Sequence, residues 1–399
     1  MIEKAEENRY NGSNQRESGV KVMSLQPQEP LAIKRATIQD VARAAGVSAS
    51  TVSHVLNATA SISNETRERV LAAVEALQYY PNVTARSLRK KHTNVIGLLM
   101  QDMTSLFYSI AYERLLVRAQ EKGYLLTMMC GHWDSELNAK NIATLIEHQA
   151  EGVIAMGTAV LESDLKRASD RGLQIVLCDQ YSPEFANVEY NNYTTMRRLV
   201  HCFAADDVTR ISYVCTSIRR QDSTEQRHRG YVQGMLDEGL DPDKLLIALD
   251  LKESKYFRWN KQFDRFTDFL EATPRDKWPQ VVLCEHDAIA QAVVYSATRK
   301  GVHIPEEIQV FGFDDTSHAV LTTPKLSTVR QDPEQLADEA FDMLMAMLQG
   351  QAYPRHVQLE QKIVLRESGN ILKDHLERER LPYCIQMEAE EPALFRPEM

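Results

Sequence analysis

The reading of this chain turns on "TIQDVARAAGVSASTVSHVLN", Thr37 to Asn57. Thr37 suits a helix N-cap, with Asp40 three residues later near the positive end of the helix dipole. Ile38, Val41, Ala42 and Ala45 follow helical spacing. Gly46 permits a tight turn, Ser48 can cap a second helix, and Val52 and Val55 give that helix an inner face. The second helix has no Lys or Arg; its polar side is serine, threonine and His54. A helix, a glycine turn and a short second helix make a helix-turn-helix, whose second helix enters the DNA major groove while the first crosses the backbone. A helix just fits that groove, so small side chains allow close approach. Hydroxyls and helix-terminal N–H groups bind phosphate without Lys or Arg. The spacing alone leaves open an ordinary helical hairpin packed on a core.

The flanking sequence extends this unit. Ser63 can cap a third helix with apolar positions Val70, Leu71, Val74 and Leu77. Pro81 then breaks the chain, and Asn82 can cap a brief helix through Leu88. In "ARSLRKK", Ala85 and Leu88 share one helical face amid Arg86, Arg89 and Lys90. An exposed leucine among cations suits a wedge that unstacks a base step in the minor groove, and such a segment can fold on binding. Residues 1–35 lack apolar periodicity and read as a disordered leader, 36–80 as the headpiece, and 81–93 as hinge helix and linker. Between Lys34 and Lys91 nine Lys/Arg face four Asp/Glu, about +5. The whole chain of 399 residues carries −10, so the remainder is strongly acidic. A small polyanion-binding module on an acidic body fits that asymmetry.

From Asn94 the rhythm changes. Apolar runs such as "NVIGLLMQ", "GVIAMGT", "LQIVLCD", "QVVLCEH" and "IQVFGFDD" alternate with amphipathic helices such as "YSIAYERLLVRAQEKG". Strands apolar on both faces and separated by helices form parallel sheets covered on both sides. Eight such units could close one barrel or form two doubly wound halves. A last helix, "PEQLADEAFDMLMAMLQG", followed by one expected strand, "HVQLEQKIVLRE", fits a barrel poorly and favours two lobes over 94–370. The expected fold is therefore a small all-α headpiece plus an α/β two-lobed core of two doubly wound parallel sheets. Residues 371–399 read as a tail, with a short helix "ILKDHLERERL" and then irregular chain.

Several function classes lose support. The six cysteines contain no C-x-x-C pair, and no cofactor or metal is expected; buried reduced thiols are the plain reading. No apolar run approaches the ~20 residues of a membrane helix, and the polar N-terminus is not a signal peptide, so a cytoplasmic protein is expected. Phosphate-loop, nucleophile-elbow, zinc-protease and dinucleotide motifs are missing, which argues against an enzyme. An exported solute-binding protein or an enzyme on the same core remains the alternative.

Those segments, with "SNETRERVLAAVEALQYYPNVTARSL", "EGVIAMG", "RHRGY", "CEHDAIA", "IPEEIQVFGFDD" and "LSTVRQDP", together resemble the lactose-repressor/galactose-repressor (LacI/GalR) family over about residues 36–370. The resemblance implies a helix-turn-helix headpiece, a hinge helix and a core like periplasmic sugar-binding proteins. It implies a homodimer on a palindromic operator, controlled by a small effector. It places Ala49, Ser50 and His54 at base-facing positions. Ser48, Thr51, Ser53, Asn57, Ser63 and Thr66 fall at phosphate or groove-edge positions, Thr37 and Ile38 at the start of the first helix, and Ala85 and Leu88 in the hinge. His54 can donate or accept one hydrogen bond with guanine, without the bidentate fork of arginine.

Effector ligands are expected where parallel strands end. By resemblance these are the pair Phe107 and Tyr108, Arg227 with Ser223 one turn earlier, Asp314 after a strand, and, as weaker matches, Gln331 and Tyr256. His286 stands where the family commonly has Asn, and Asn191 where Asp is usual; Ser105 and Leu106 replace Asn-Pro. An Arg–Asp pair with aromatics fits a sugar or sugar derivative best, with a purine-like nucleobase as the other candidate.

Overall fold

The computed structural model describes residues 36–57, 59–80, 92–101, 103–216, 223–248, 259–369 and 387–389, at 223, 259–264 and 387–389 by the backbone alone. The leader, the expected hinge helix with Ala85 and Leu88, Tyr256 and the expected tail helix lie outside these residues. The chain divides into two compact units, one through Arg86 and one from Ser87.

The first unit contains α1 (Ile38–Ala45), α2 (Ala49–Asn57) and α3 (Asn64–Ala76). Thr37 opens α1 with a full capping box: its hydroxyl accepts from the Asp40 N–H at 3.3 Å, and the Asp40 carboxylate accepts from the Thr37 N–H at 2.9 Å. Gly46 closes α1 at φ 64, the left-handed region where a Cβ is penalised. Val41, Val52, Val55, Val70 and Ala73 bury a small core. Two expected core positions differ. Leu71 is exposed because it lies about 100° around α3 from Val70, outside the stripe made by Val70 and Ala73. Leu77 is the C-cap residue, past the last full turn, and is also exposed.

The second unit is built on two sheets. The first has the order β11-β5-β4-β3-β1-β2 and the second β13-β12-β10-β9-β8-β6-β7. In the first lie β1 (Val95–Met100), β2 (Leu125–Cys130), β3 (Gly152–Met156), β4 (Gln174–Cys178), β5 (Ala186–Tyr190) and β11 (His356–Leu359). In the second lie β6 (Ile211–Cys215), β7 (Leu246–Ala248), β8 (Val281–Cys284), β9 (Gln309–Asp314), β10 (Ser327–Arg330), β12 (Lys362–Leu365) and β13 (Met387–Ala389). All pairings are parallel except β10 with β12. Both sheets carry buried clusters on two faces, as continuous apolar strands require. The expected two-lobed α/β core is present.

The strand expected over "HVQLEQKIVLRE" is two strands in two different sheets. It breaks at Glu360 and Gln361, where β11 ends beside β5 and β12 begins beside β10. A polar dipeptide inside an apolar run here marks a passage between lobes, not an outward-facing pair. Strands β5 and β10, unforeseen in the alternation, flank the other two passages. Residues Met387–Ala389 extend the second sheet beside β12, so the tail is not irregular throughout. The chain therefore passes between lobes three times: after β5, between β10 and the helix Pro333–Leu348, and between β11 and β12. That helix follows the second lobe's β10 in sequence but buries Leu336, Ala340, Phe341 and Leu344 in the core of the first. Arg114 and Arg118 on the helix Leu106–Glu121 pair with its Asp338, and Arg118 also reaches Asp342.

Candidate DNA interface and effector cleft

On the headpiece, Ser48 Oγ accepts from the Thr51 N–H at 3.1 Å and lies 2.7 Å from Ser50 Oγ and 2.8 Å from Thr51 Oγ1. This hydroxyl cluster sits at the N-terminus of α2, where the helix dipole favours an anion. His54 is exposed, and its Nδ1 pairs with Thr59 Oγ1 at 2.9 Å, leaving the Nε2 edge facing away from that contact. Asn57 donates to the Ser53 carbonyl at 2.7 Å, which holds two polar residues one turn apart. Ser63 caps α3, and its hydroxyl donates to Thr66 Oγ1 at 2.9 Å. Thr37 and Ser50 are exposed, whereas Ile38 and Ala49 are half-buried against the headpiece core. These two apolar residues thus brace the helices as well as bounding the polar face.

In the core, the carboxyl ends of strands from both sheets meet. Arg227, on the helix Ser223–Asp237, is buried at this junction. Its Nε donates to Asn192 Oδ1 at 3.0 Å and its Nη1 to the Glu285 carbonyl at 2.5 Å. Its Nη2 donates to Asp314 Oδ1 at 3.1 Å and to Gln331 Oε1 at 3.0 Å. The guanidinium also lies 3.9 Å from the centre of the Phe313 ring. Burial would lower its pKa; Asp314 and then Asp179 outweigh that and hold it above the ordinary value. Asp314 ends β9 at φ 100 and Asp315 follows it at φ 55. Asp315 turns away, to Arg330 at 2.6 Å and Arg366 at 2.7 Å, so the two aspartates of "GFDD" have divided roles.

From the first lobe, Tyr108 donates its hydroxyl to Asp179 Oδ2 at 2.7 Å. Gly157, at φ 53, lies so close that a Cβ there would collide with the Tyr108 ring. The expected aromatic pair is split: Phe107 is buried in the lobe core, edge-on to Tyr108, and only Tyr108 faces Asp179. Gln226 crosses the cleft to Glu189 on β5 at 3.3 Å. Burial raises the Glu189 carboxyl to about 7. His286 is half-buried at the start of the helix Asp287–Arg299. Ser223 begins its helix, on which Arg227 lies one turn later. Asn191 caps the helix Asn192–Ala205 through the Thr194 N–H, which an aspartate would also do.

Asn192, Asp179, Glu189 and Glu285 were not singled out from the sequence. Asp179 and Glu285 directly follow the apolar runs "IVLC" and "VVLC". The reasoning that selected Asp314, a carboxylate at the end of a buried strand, applies to both. Asn192 carried no such signal, because its partners come from remote segments.

A helix-turn-helix headpiece and a two-lobed α/β core with a polar interlobe cleft, in one chain, are the parts of a DNA-binding regulator. The profile for "Bacterial regulatory proteins, lacI family" matches residues 37–82, and that for "Periplasmic binding protein-like domain" matches residues 200–369. The chain joins a lacI-family DNA-binding headpiece to a periplasmic-binding-protein-like core and is a DNA-binding transcriptional regulator. Among its relatives, the HTH-type transcriptional repressor PurR of Vibrio campbellii is 29% identical over 347 residues, covering 84% of this chain and 98% of that one. The HTH-type transcriptional regulator RegA of Clostridium saccharobutylicum is 28% identical over 341 residues, covering 83% and 98%. A crystal structure of the Lac repressor dimer bound to operator and the anti-inducer ONPF shares the fold, with TM-score 0.72 and 22% identity over 84% of this chain and 99% of that one. The headpiece match in the same chain as the core disfavours a solute-binding protein.

Proposed function

We propose that the protein is a cytoplasmic repressor that binds a palindromic operator as a homodimer, and that a small effector, a sugar or sugar derivative, enters the interlobe cleft and changes operator affinity. Relatives named as repressors support the direction of regulation. In the headpiece, Ser50 and His54, with Ala49 beside them, read base edges. Thr37, Ser48, Thr51, Ser53, Asn57, Ser63 and Thr66 hold phosphates and groove edges. In the cleft, Tyr108, Ser223, Arg227, His286, Asp314 and Gln331 contact the effector, with Phe107 bracing Tyr108; Tyr256, outside the described residues, is assigned to the effector by resemblance alone.

One observation carries the effector reading: the buried Arg227 is neutralised by Asp314 and bonded to four acceptors. An anionic ligand would have to displace a carboxylate from it. A neutral polyhydroxyl ligand can instead share the carboxylate and the remaining donor, since each hydroxyl both donates and accepts.

Two measurements test this. Binding to palindromic fragments from the protein's own locus, at several salt concentrations, should show a specific and salt-sensitive affinity. No preference for any such fragment would refute the operator reading. A thermal-shift screen with sugars, sugar phosphates, sugar acids and nucleobases should find its largest stabilisation with a neutral sugar. A response confined to phosphates or acids would contradict the neutral-ligand argument.

A further inference from the structure

The three passages between lobes meet at one side chain. Asn192 begins the helix that follows the first passage. Its Oδ1 accepts from Gln331 Nε2, on the second passage, at 3.1 Å and from Gln361 Nε2, on the third, at 3.2 Å. The same oxygen accepts from Arg227 Nε at 3.0 Å. Three donors converging on one oxygen settle which way the amide faces. Its Nδ2 donates back to the Tyr190 carbonyl at 3.3 Å. Two further contacts tie the passages pairwise. Tyr190 Oη donates to the Asp332 carbonyl at 2.7 Å and accepts from the Asp332 N–H at 2.9 Å. Thr195 Oγ1 donates to Gln361 Oε1 at 2.5 Å. Asn192 is buried, so none of these bonds is exchanged cheaply for water.

We propose that Asn192 is a positioning residue, the pivot that joins the cleft arginine to all three interlobe passages. A change in how Arg227 is engaged then reaches every passage through one shared acceptor rather than through three separate routes. Hinge closure between lobes needs such a point, because a few residues at element ends absorb the rotation. The acceptor must be a short amide or carboxylate. A longer side chain at the first helical turn would overshoot the junction, and a serine or threonine hydroxyl, one bond nearer the backbone, would fall short of the three donors. The proposal rests on the effector reading only in treating Arg227 as the cleft side of the junction.

Hydrogen exchange on the full chain without effector tests it, following peptides over residues 190–192, 331–332 and 361–362. Strands β3 and β8 serve as internal references. Asn192→Ala is expected to speed exchange at all three passages by about tenfold, from loss of the shared acceptor, while β3 and β8 keep their protection. Asn192→Asp retains an oxygen for the same donors and is expected to stay near wild type. An effect of Asn192→Ala confined to its own passage overturns the proposal. So does loss of protection spread equally over β3 and β8, or an Asn192→Asp variant as loose as the alanine. None of these readouts needs an effector, so failure of the ligand screen and failure of the pivot are separately visible.

Discussion

The Arg227 guanidinium stacks 3.9 Å above the centre of Phe313, one residue before the Asp314 that neutralises it. The strand that supplies the counter-ion therefore also supplies the surface on which the cation rests. Such a cation is fixed in orientation before any ligand arrives, which reduces the ordering cost of binding.

Removing that cation should be costly. Arg227→Ala leaves Asp314 without its charge partner and strips a donor from Asn192, Gln331 and the Glu285 carbonyl. A loss of about 3–5 kcal/mol is expected, as for other broken buried pairs, read as a lower urea midpoint. Asp314→Asn keeps the shape and should cost less, while abolishing the effector's thermal shift. Operator binding should stay measurable in both. An unchanged thermal shift in both variants would move the effector site elsewhere.

Stability should fall as pH rises toward 8. Burial first, then the nearby Asp314, push the Asp287 carboxyl up to about 8, against about 4 in an unfolded chain. Between those values the native state holds a proton that the unfolded state has released, so raising the pH favours unfolding. Asp287 accepts from the Thr316 N–H at 2.6 Å and from Thr328 Oγ1 at 2.6 Å. A neutral amide in place of this carboxyl would keep one acceptor, and the Thr328 hydroxyl can turn to accept from its NH2 group. The substitution Asp287→Asn should therefore flatten the pH slope. Urea midpoints at pH 5, 6.5 and 8 read this directly, and a slope equal to wild type would exclude Asp287 as its source.

His54→Ala should relax sequence preference. The side chain is exposed and bonded only to Thr59 among the described contacts of the headpiece, so folding should be little affected. Loss of one single-bond base contact is expected to cost about 1 kcal/mol of discrimination at one base pair, less than a bidentate pair would. Anisotropy titrations over a set of singly substituted operators would locate that pair. A uniform loss across all of them would instead assign His54 to a phosphate.

Leu88→Ala should weaken specific binding more than non-specific binding, because only the specific complex gains from a wedge between base steps. Competition titrations against bulk DNA separate the two constants. Equal losses would remove the wedge.

The local sequence determined the short-range features. The capping box at Thr37 and Asp40, the left-handed turn at Gly46 and the alternation of buried strands with helices rest on neighbours within a few residues. So does the candidate Asp314, because a polar residue closing an apolar strand lies at that strand's carboxyl end, where a cleft forms. Only the tertiary structure decided which polar residues share a junction. The break at Glu360 and Gln361 reads as one strand in sequence, since pairing partners and not propensity assign the two halves to different sheets. The same reason hid Asn192. Its donors at Arg227, Gln331 and Gln361 lie far along the chain, and a hydrogen bond depends on where the passages bring those atoms, which no local pattern encodes.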